Sequence, residues 1–87
     1  MKNKINAEQM ELLKYCARND INLLKDLNEK SIKDFSDEQY NQLRELIGSE
    51  LAEKGFDENW APNTYGNRLN DLHEVIGWFL FWPEQNN

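Results

Sequence analysis

The apolar residues of this chain recur at intervals of three and four, and no segment alternates apolar and polar residues over a useful length. The clearest case is DEQYNQLRELIGSELAEK, residues 37–54, which follows Ser36. Ser36 and Gln39 match a capping box, in which each side chain bonds to the other residue's backbone N–H. The pattern predicts an amphipathic helix whose apolar side is formed by Tyr40, Leu43, Ile47 and Leu51.

Two shorter helical patterns precede this segment. Asn6 begins a second capping box and predicts a first helix over about residues 7–18. Asp20 is a good cap for a second helix over about residues 20–30. One bent helix over residues 7–30 is the alternative.

The last helical pattern follows Pro62, which disfavours helical backbone at the residue before it. Asn63 or Thr64 is expected to cap this helix, and Pro83 is expected to end it. Its predicted core stripe consists of Tyr65, Leu69, Leu72, Ile76 and Phe79.

The segment GFDENWAPNTYGNRLNDL connects the two longest helical patterns. Gly55 is expected to end the preceding helix in the left-handed conformation, and Phe56 to fold back onto the last turn. Phe56, Trp60 and Tyr65 are interpreted as anchors that fix this connection to the core. For Trp60 an equally good interpretation is an exposed contact for a partner.

The predicted fold is all-α, a compact bundle of three to four short helices. The length of 87 residues suits one domain, spanning residues 1–87. Residues 1–5 and 84–87 are expected to be flexible ends.

Charge restricts the class of partner. Sixteen acidic residues against ten basic ones give a net charge of -6, and eight of the acids lie within residues 34–58. Direct nucleic-acid binding needs a basic surface and is therefore disfavoured, whereas a basic protein partner is favoured. A charged, solvated helix face is the simpler interpretation of the same acids.

Cysteine usage and hydropathy indicate a cytoplasmic protein. Cys16 is the single cysteine, which suits a reducing compartment. The N-terminus lacks the apolar run of a signal peptide, and the longest apolar run, residues 75–82, is too short to span a membrane.

Catalytic and metal-binding chemistry is not indicated. His73 and Cys16 are the only residues of their types, so a zinc site of four such ligands cannot be assembled. A lone histidine beside a core stripe is usually a packed, hydrogen-bonded residue. We therefore expect no catalytic residues, no metal and no cofactor, and an enzyme is the least favoured class.

Two surfaces remain as candidates for binding. The first is acidic: it combines carboxylates on the outer side of the third helix with those of the following turn and an adjacent tryptophan. Its predicted partner-binding residues are Glu38, Glu45, Glu53, Asp57, Glu58 and Trp60.

The second surface is aromatic and consists of Trp78, Phe81 and Trp82. We expect these side chains to be buried against the first two helices, because a small domain needs its large side chains in the core. If they are exposed instead, they mark an interface, and a homodimer becomes possible.

The segment ELAEKGFDENWAPNTYGNRLNDL resembles small acidic immunity proteins of bacterial toxin–immunity systems, including the polymorphic-toxin and contact-dependent inhibition loci. The resemblance covers roughly Leu43 to Leu72: a helix ending in G-F-D, a P-N-x-Y-G turn, and L-x-x-L. It implies a protein that binds and blocks a cognate toxin, in many cases a nuclease with a basic cleft.

The predicted function is therefore an immunity protein that neutralises a cognate toxin by stoichiometric binding through its acidic surface. One alternative is an acidic nucleic-acid mimic, such as a phage inhibitor of a host DNA-binding protein. The other is a helical module that oligomerises through the C-terminal aromatic residues.

Overall fold

The computed structural model describes residues 5–81, and it confirms the all-α class. Within that range the chain forms four α-helices and one short 3-10 helix. The bounds are Ala7–Cys16 for α1, Ile21–Glu29 for α2, Ile32–Asp34 for the 3-10 helix, Asp37–Lys54 for α3 and Thr64–Phe81 for α4.

The helix starts lie where the capping residues predicted them. Ser36 Oγ accepts a hydrogen bond from Gln39 N at 3.1 Å, and Gln39 Oε1 accepts one from Ser36 N at 3.0 Å. Asn6 makes the equivalent box at α1, and Asp20 Oδ1 caps α2. Asn63 begins α4, because its Oδ1 accepts from Gly66 N at 2.7 Å. Each cap satisfies backbone donors that have no partner within the helix.

The chain leaves helical geometry after Cys16, so the single bent helix over residues 7–30 is wrong. Ala17 N donates to Leu13 O, and a turn follows in which Asp20 N donates to Ala17 O at 2.9 Å. Asp20 then caps the next helix.

The core lies where α1, α3 and α4 meet. Helices α3 and α4 pack along each other, and α1 packs against both. The largest fully buried side chains come from these three helices: Leu13, Leu43, Ile47, Leu69, Leu72 and Ile76. Their spacing in the sequence is the helical period that predicted them.

Helix α2 and the 3-10 helix are bonded to the first turn of α3. Buried Leu23 and Leu27 join the core from α2. Tyr40 Oη in α3 donates to Ile32 O at 2.7 Å, and Gln39 Nε2 donates to Asp26 Oδ2 at 2.6 Å. These two bonds fasten the segment before α3 onto α3. The 3-10 helix is a feature that the sequence pattern did not predict.

The end of α3 differs from the expected left-handed stop. Gly55 has φ −91° and ψ 0°, which is right-handed backbone. It is instead a contact point, because Gly66 of α4 packs directly against its carbonyl. A β-carbon at position 66 would overlap with the Gly55 carbonyl, and one at position 55 would overlap with Leu51 and come within 3.1 Å of Gly66 Cα.

Several predictions fall outside the part of the chain that the structure describes. These are the fate of Trp82, the helix stop at Pro83 and the flexible ends. Within residues 5–81, no helix has the length and apolar character needed to cross a lipid bilayer.

Candidate protein-binding surface

The connection between α3 and α4, residues 55–63, is a hydrogen-bonded loop, which we call the Trp60 loop. Asp57 N donates to Ala61 O, and Asn63 N donates to Gly55 O, both at 2.9 Å. Phe56 and Pro62 form an isolated antiparallel bridge. These contacts hold the two sides of the loop together, so its tip has a defined shape.

Asp57 organises the tip of the loop. Its Oδ1 accepts hydrogen bonds from Asn59 N at 2.8 Å and from Ala61 N at 3.0 Å. Its carbonyl accepts a third from Trp60 N at 3.0 Å. In the structure the Asp57 side chain holds the loop together, and its predicted role as a partner contact stays a prediction.

Trp60 is presented to solvent by this loop. Its side chain is 79% exposed, so the interpretation of Trp60 as a core anchor is wrong. It has φ 63°, the only positive φ among the described residues other than glycine. Left-handed backbone costs a residue with a side chain about 1–2 kcal/mol. The loop therefore holds a large apolar side chain outward in an unfavourable backbone conformation.

The other two predicted anchors differ from each other. Phe56 is also exposed, at 37%, and its ring lies 6.4 Å from that of Trp60 at an angle of 51°. Tyr65 is partly buried and packs against the core. Phe56 and Trp60 thus form a paired aromatic projection, and Tyr65 alone acts as the anchor.

All five predicted carboxylates lie at the surface, and none forms an ion pair with another residue of 5–81. They are Glu38, Glu45, Glu53, Asp57 and Glu58. The ion pairs within the described range involve two other carboxylates: Glu50 pairs with Arg18 and Lys54, and Asp26 pairs with Lys30. The negative charge of the predicted surface is therefore available to an external cation.

The acidic residues are spread along α3. Glu38 is in the first turn of this 18-residue helix, and Glu53 is in its last turn. At about 1.5 Å per residue, about 22 Å of helix axis separates them. An interface of ordinary size, about 800 Å² per partner, can span that distance. Glu53 adjoins the Trp60 loop, whereas Glu38 lies at the far end.

The aromatic surface at the end of α4 is partly exposed. Trp78 is half-buried and Phe81 is 56% exposed, so the expected burial is wrong for Phe81. The Arg44 guanidinium lies 5.2 Å from the centre of the Phe81 ring. Trp82 is outside the described residues.

A hollow of about 470 Å³ lies beside this aromatic surface and is lined in part by Arg44, His73 and Trp78. Burial, together with the nearby Arg44 charge, lowers the pKa of His73. His73 is therefore a neutral, packed side chain at pH 7, which fits its interpretation as a residue beside the core.

Sequence reasoning missed a buried carboxylate. Glu50 of α3 is only 6% exposed, and Tyr65 Oη donates to its Oε2 at 2.8 Å. Arg18 and Lys54 each place a nitrogen 3.6 Å from one of its oxygens. The signal was present in the spacing, because Glu50 follows Ile47 by three residues and Leu43 by seven. It occupies a core-facing position.

The surroundings of Glu50 determine its ionisation. Burial opposes the charged form, but the Tyr65 hydrogen bond and the charges of Lys54 and Arg18 outweigh it and lower the pKa of Glu50. Burial and the bond to Glu50 raise the pKa of Tyr65. Burial, with Glu50 nearby, raises the pKa of Cys16 to about 11. The Cys16 thiol is thus protonated at neutral pH and a poor nucleophile.

A second hollow, of about 350 Å³, opens over this cluster. We call it the Glu50 hollow, and it is lined by Leu12, Tyr15, Glu50, Lys54 and Tyr65. The guanidinium of Arg18 lies 4.0 Å and Lys54 Nζ 5.6 Å from the centre of the Tyr15 ring.

Within residues 5–81 no group of three or more His, Cys, Asp and Glu side chains is placed to hold a metal ion.

Comparison of the chain with protein-family models, with curated proteins and with solved structures gives no match.

Proposed function

We propose that this chain acts by binding a basic protein partner stoichiometrically and blocking it. The observation that carries the proposal is Trp60, which is 79% exposed at φ 63° on a loop with internal hydrogen bonds. We identify the Trp60 loop and the acidic side of α3 as the contact surface.

The energetics of Trp60 support a binding role. Its left-handed backbone costs about 1–2 kcal/mol in the free protein. Burial of a large apolar side chain in a partner gains about 1.5–3 kcal/mol, and the backbone cost does not reduce this gain because the free protein already bears it. Because the loop is already ordered, little further entropy is lost on binding. An exposed tryptophan of this kind is a typical interface hot spot.

The exposed carboxylates favour basic partners and increase the rate of association with them. Glu45, Glu53 and Glu58 are exposed and make no ion pair within the described range. Charges at the rim of an interface mainly increase the association rate and favour partners of opposite charge. The net charge of -6 acts in the same direction at longer range.

The most specific form of the proposal is an immunity protein that neutralises a cognate bacterial toxin inside the producing cell. The resemblance of residues 43–72 to such proteins supports it. A nuclease toxin holds phosphate groups with Lys and Arg, and such a cleft attracts a row of carboxylates. Binding there, or at a neighbouring basic site, would block the enzyme.

The test of the contact surface compares Trp60→Ala with Ile21→Ala. Ile21 is equally exposed, at 80%, and belongs to α2, outside both the Trp60 loop and α3. The partners to test are toxins encoded by neighbouring genes. Against a toxin that binds the parent protein in calorimetry, Trp60→Ala should weaken binding by at least about 2 kcal/mol, as hot-spot residues do. Ile21→Ala should leave binding unchanged. Equal affinities for the two variants would remove Trp60 from the interface.

The electrostatic part is tested by charge reversal. The double variant Glu45→Lys/Glu53→Lys should slow association, and the effect should shrink as salt is added. Glu11→Lys/Glu29→Lys changes the net charge equally at exposed positions on α1 and α2 and is the matched control. If the two double variants slow association to the same extent, the net charge of the molecule determines the rate and the α3 surface has no special role.

Two other functions have distinct outcomes. A nucleic-acid mimic would bind several unrelated DNA-binding proteins and be displaced by DNA from each. An oligomerising helical module is favoured by the exposure of Phe81. Light scattering at high concentration would then detect an oligomer that Phe81→Ala dissociates and Trp60→Ala does not.

A further inference from the structure

The Glu50 hollow borders the Trp60 loop. Lys54, on its rim, directly precedes the loop, and Asn63 at the other end of the loop donates from Nδ2 to Lys54 O at 3.0 Å. Tyr65, on its wall, follows two residues later. The hollow therefore adjoins the base of the Trp60 loop.

The carboxylate in the hollow is firmly held by one neighbour and loosely by two. Tyr65 Oη bonds to Glu50 Oε2 at 2.8 Å, an ordinary hydrogen-bond length. The Arg18 and Lys54 nitrogens are both 3.6 Å away, longer than the about 2.7–2.9 Å of a charge-assisted hydrogen bond. Lys54 is half-exposed and pairs with Glu50 across one turn of the same helix, and its Nζ also donates to Tyr15 Oη at a long 3.4 Å, so both of its polar contacts are weak.

The walls of the hollow suit a long cationic side chain. Leu12 and the rings of Tyr15 and Tyr65 provide apolar surface for an alkyl stem. The face of Tyr15 attracts cations, as the positions of Arg18 and Lys54 show. The carboxylate of Glu50 completes an acceptor for a positive charge.

We propose that the Glu50 hollow receives a lysine side chain of the basic partner, whose ammonium group replaces that of Lys54 beside Glu50. Lys54 holds the site in the free protein, and it moves into solvent when the partner binds. The proposal rests on the proposed function in one respect only, that the lysine belongs to the basic protein partner. The hollow itself is a feature of the isolated chain.

The test needs no partner. The whole protein, labelled with ¹⁵N, is titrated with n-butylammonium chloride, and the signals of Tyr15, Glu50 and Tyr65 are followed by NMR. n-Butanol has the same alkyl chain without the charge and is the control ligand. We expect saturable shifts at these three residues with the ammonium compound and none with the alcohol. Equal shifts with both would overturn the proposal.

The decisive variant is Lys54→Met, which removes the competing ammonium group and keeps the length of the side chain. It should bind n-butylammonium about two- to fivefold more tightly, the range by which exposed ion pairs compete. Lys25→Met, at an exposed position on α2, is the matched control and should bind like the parent. An unchanged affinity in Lys54→Met would overturn the proposal.

Two further variants test the walls and the carboxylate. Tyr15→Leu, at an exposed position, should weaken binding of the probe by removing the cation-attracting ring face. Glu50→Gln should abolish binding of n-butylammonium. If that variant fails to fold, the affinities of Lys54→Met and Tyr15→Leu for the probe still test the proposal. Tighter binding of n-propylguanidinium than of n-butylammonium would overturn the choice of lysine.

The two proposals fail separately. Loss of partner binding in Trp60→Ala together with no response of the hollow to n-butylammonium would reject the hollow alone. Saturable binding of the probe by a protein whose toxin affinity is unaffected by Trp60→Ala would reject the Trp60 contact and retain the cation site.

Discussion

Gly66, in the first turn of α4, packs against the backbone carbonyl of Gly55 so closely that a β-carbon at position 66 would overlap with it. The neighbouring atom is backbone oxygen, which cannot rotate away as a flexible side chain can. The two glycines therefore fix the distance between the end of α3 and the start of α4, and with it the base of the Trp60 loop.

Gly66→Ala should consequently destabilise the protein. Overpacking of this kind costs about 1–3 kcal/mol, and here the displaced group is the backbone of the loop. Gly48→Ala is the matched control, because a β-carbon there meets no atom within 4 Å. In the middle of α3 it should stabilise by about 0.5–1 kcal/mol. Urea unfolding of both variants measures the contrast, and a neutral Gly66→Ala would contradict the close approach.

The backbone of Trp60 leads to a second prediction. Trp60→Gly should be more stable than Trp60→Ala by about 1–2 kcal/mol, because glycine adopts φ 63° without the cost borne by other residues. Both variants lose the same contact with Phe56, so that contact cancels in the comparison. Thermal unfolding measures the difference. Equal stabilities would mean that residue 60 relaxes to negative φ when its side chain is removed.

The hydrogen bonds of Asp57 can be separated experimentally from its charge. Asp57→Asn keeps an oxygen that accepts from Asn59 N and Ala61 N but removes the charge, whereas Asp57→Ala removes both. Asp57→Ala should cost about 0.5–1.5 kcal/mol and increase hydrogen exchange at the two amides, while Asp57→Asn should preserve their protection. If the two variants exchange alike, the side-chain oxygen does not organise the loop.

The helix starts were predictable because each depends on residues three apart in the sequence. Ser36 with Gln39, and Asn6 with Gln9, satisfy backbone donors of their own helix, so no distant contact is needed. The outward position of Glu45 was predictable for a related reason, since the helical period alone places it opposite Leu43. That Glu45 contacts a partner stays a prediction.

The Trp60 loop was predictable only in outline. Pattern reasoning assigned left-handed backbone to Gly55, whereas the structure has it at Trp60. The reason is tertiary: Gly55 is needed for the close approach of Gly66, and Asp57 then bonds forward to Ala61 and turns the chain at residue 60. None of these contacts is visible in the local propensities of the segment.

The Glu50 cluster was missed because its partners come from other helices. Arg18 lies two residues after the end of α1, and Tyr65 lies in the first turn of α4. A charged residue at a core-facing helix position is a conflict between local pattern and global fold, and such conflicts mark sites of special function or cost. The helical period places Glu50 on the core-facing side of α3, but it does not indicate which residues of other helices neutralise the carboxylate.

Glu50 predicts how stability depends on pH. Because its pKa is lowered on folding from the usual 4.5, the unfolded chain binds more protons in the interval between the two values. The contribution of Glu50 is therefore complete above pH 4.5 and is lost as the pH falls through the folded-state pKa. In Glu50→Gln the free energy of unfolding should depend less on pH in this interval. Glu53→Gln, at an exposed position, should show the same pH dependence as the parent protein. Urea unfolding between pH 3 and 7 measures it, and identical slopes in all three proteins would exclude ionised Glu50 as a stabilising group.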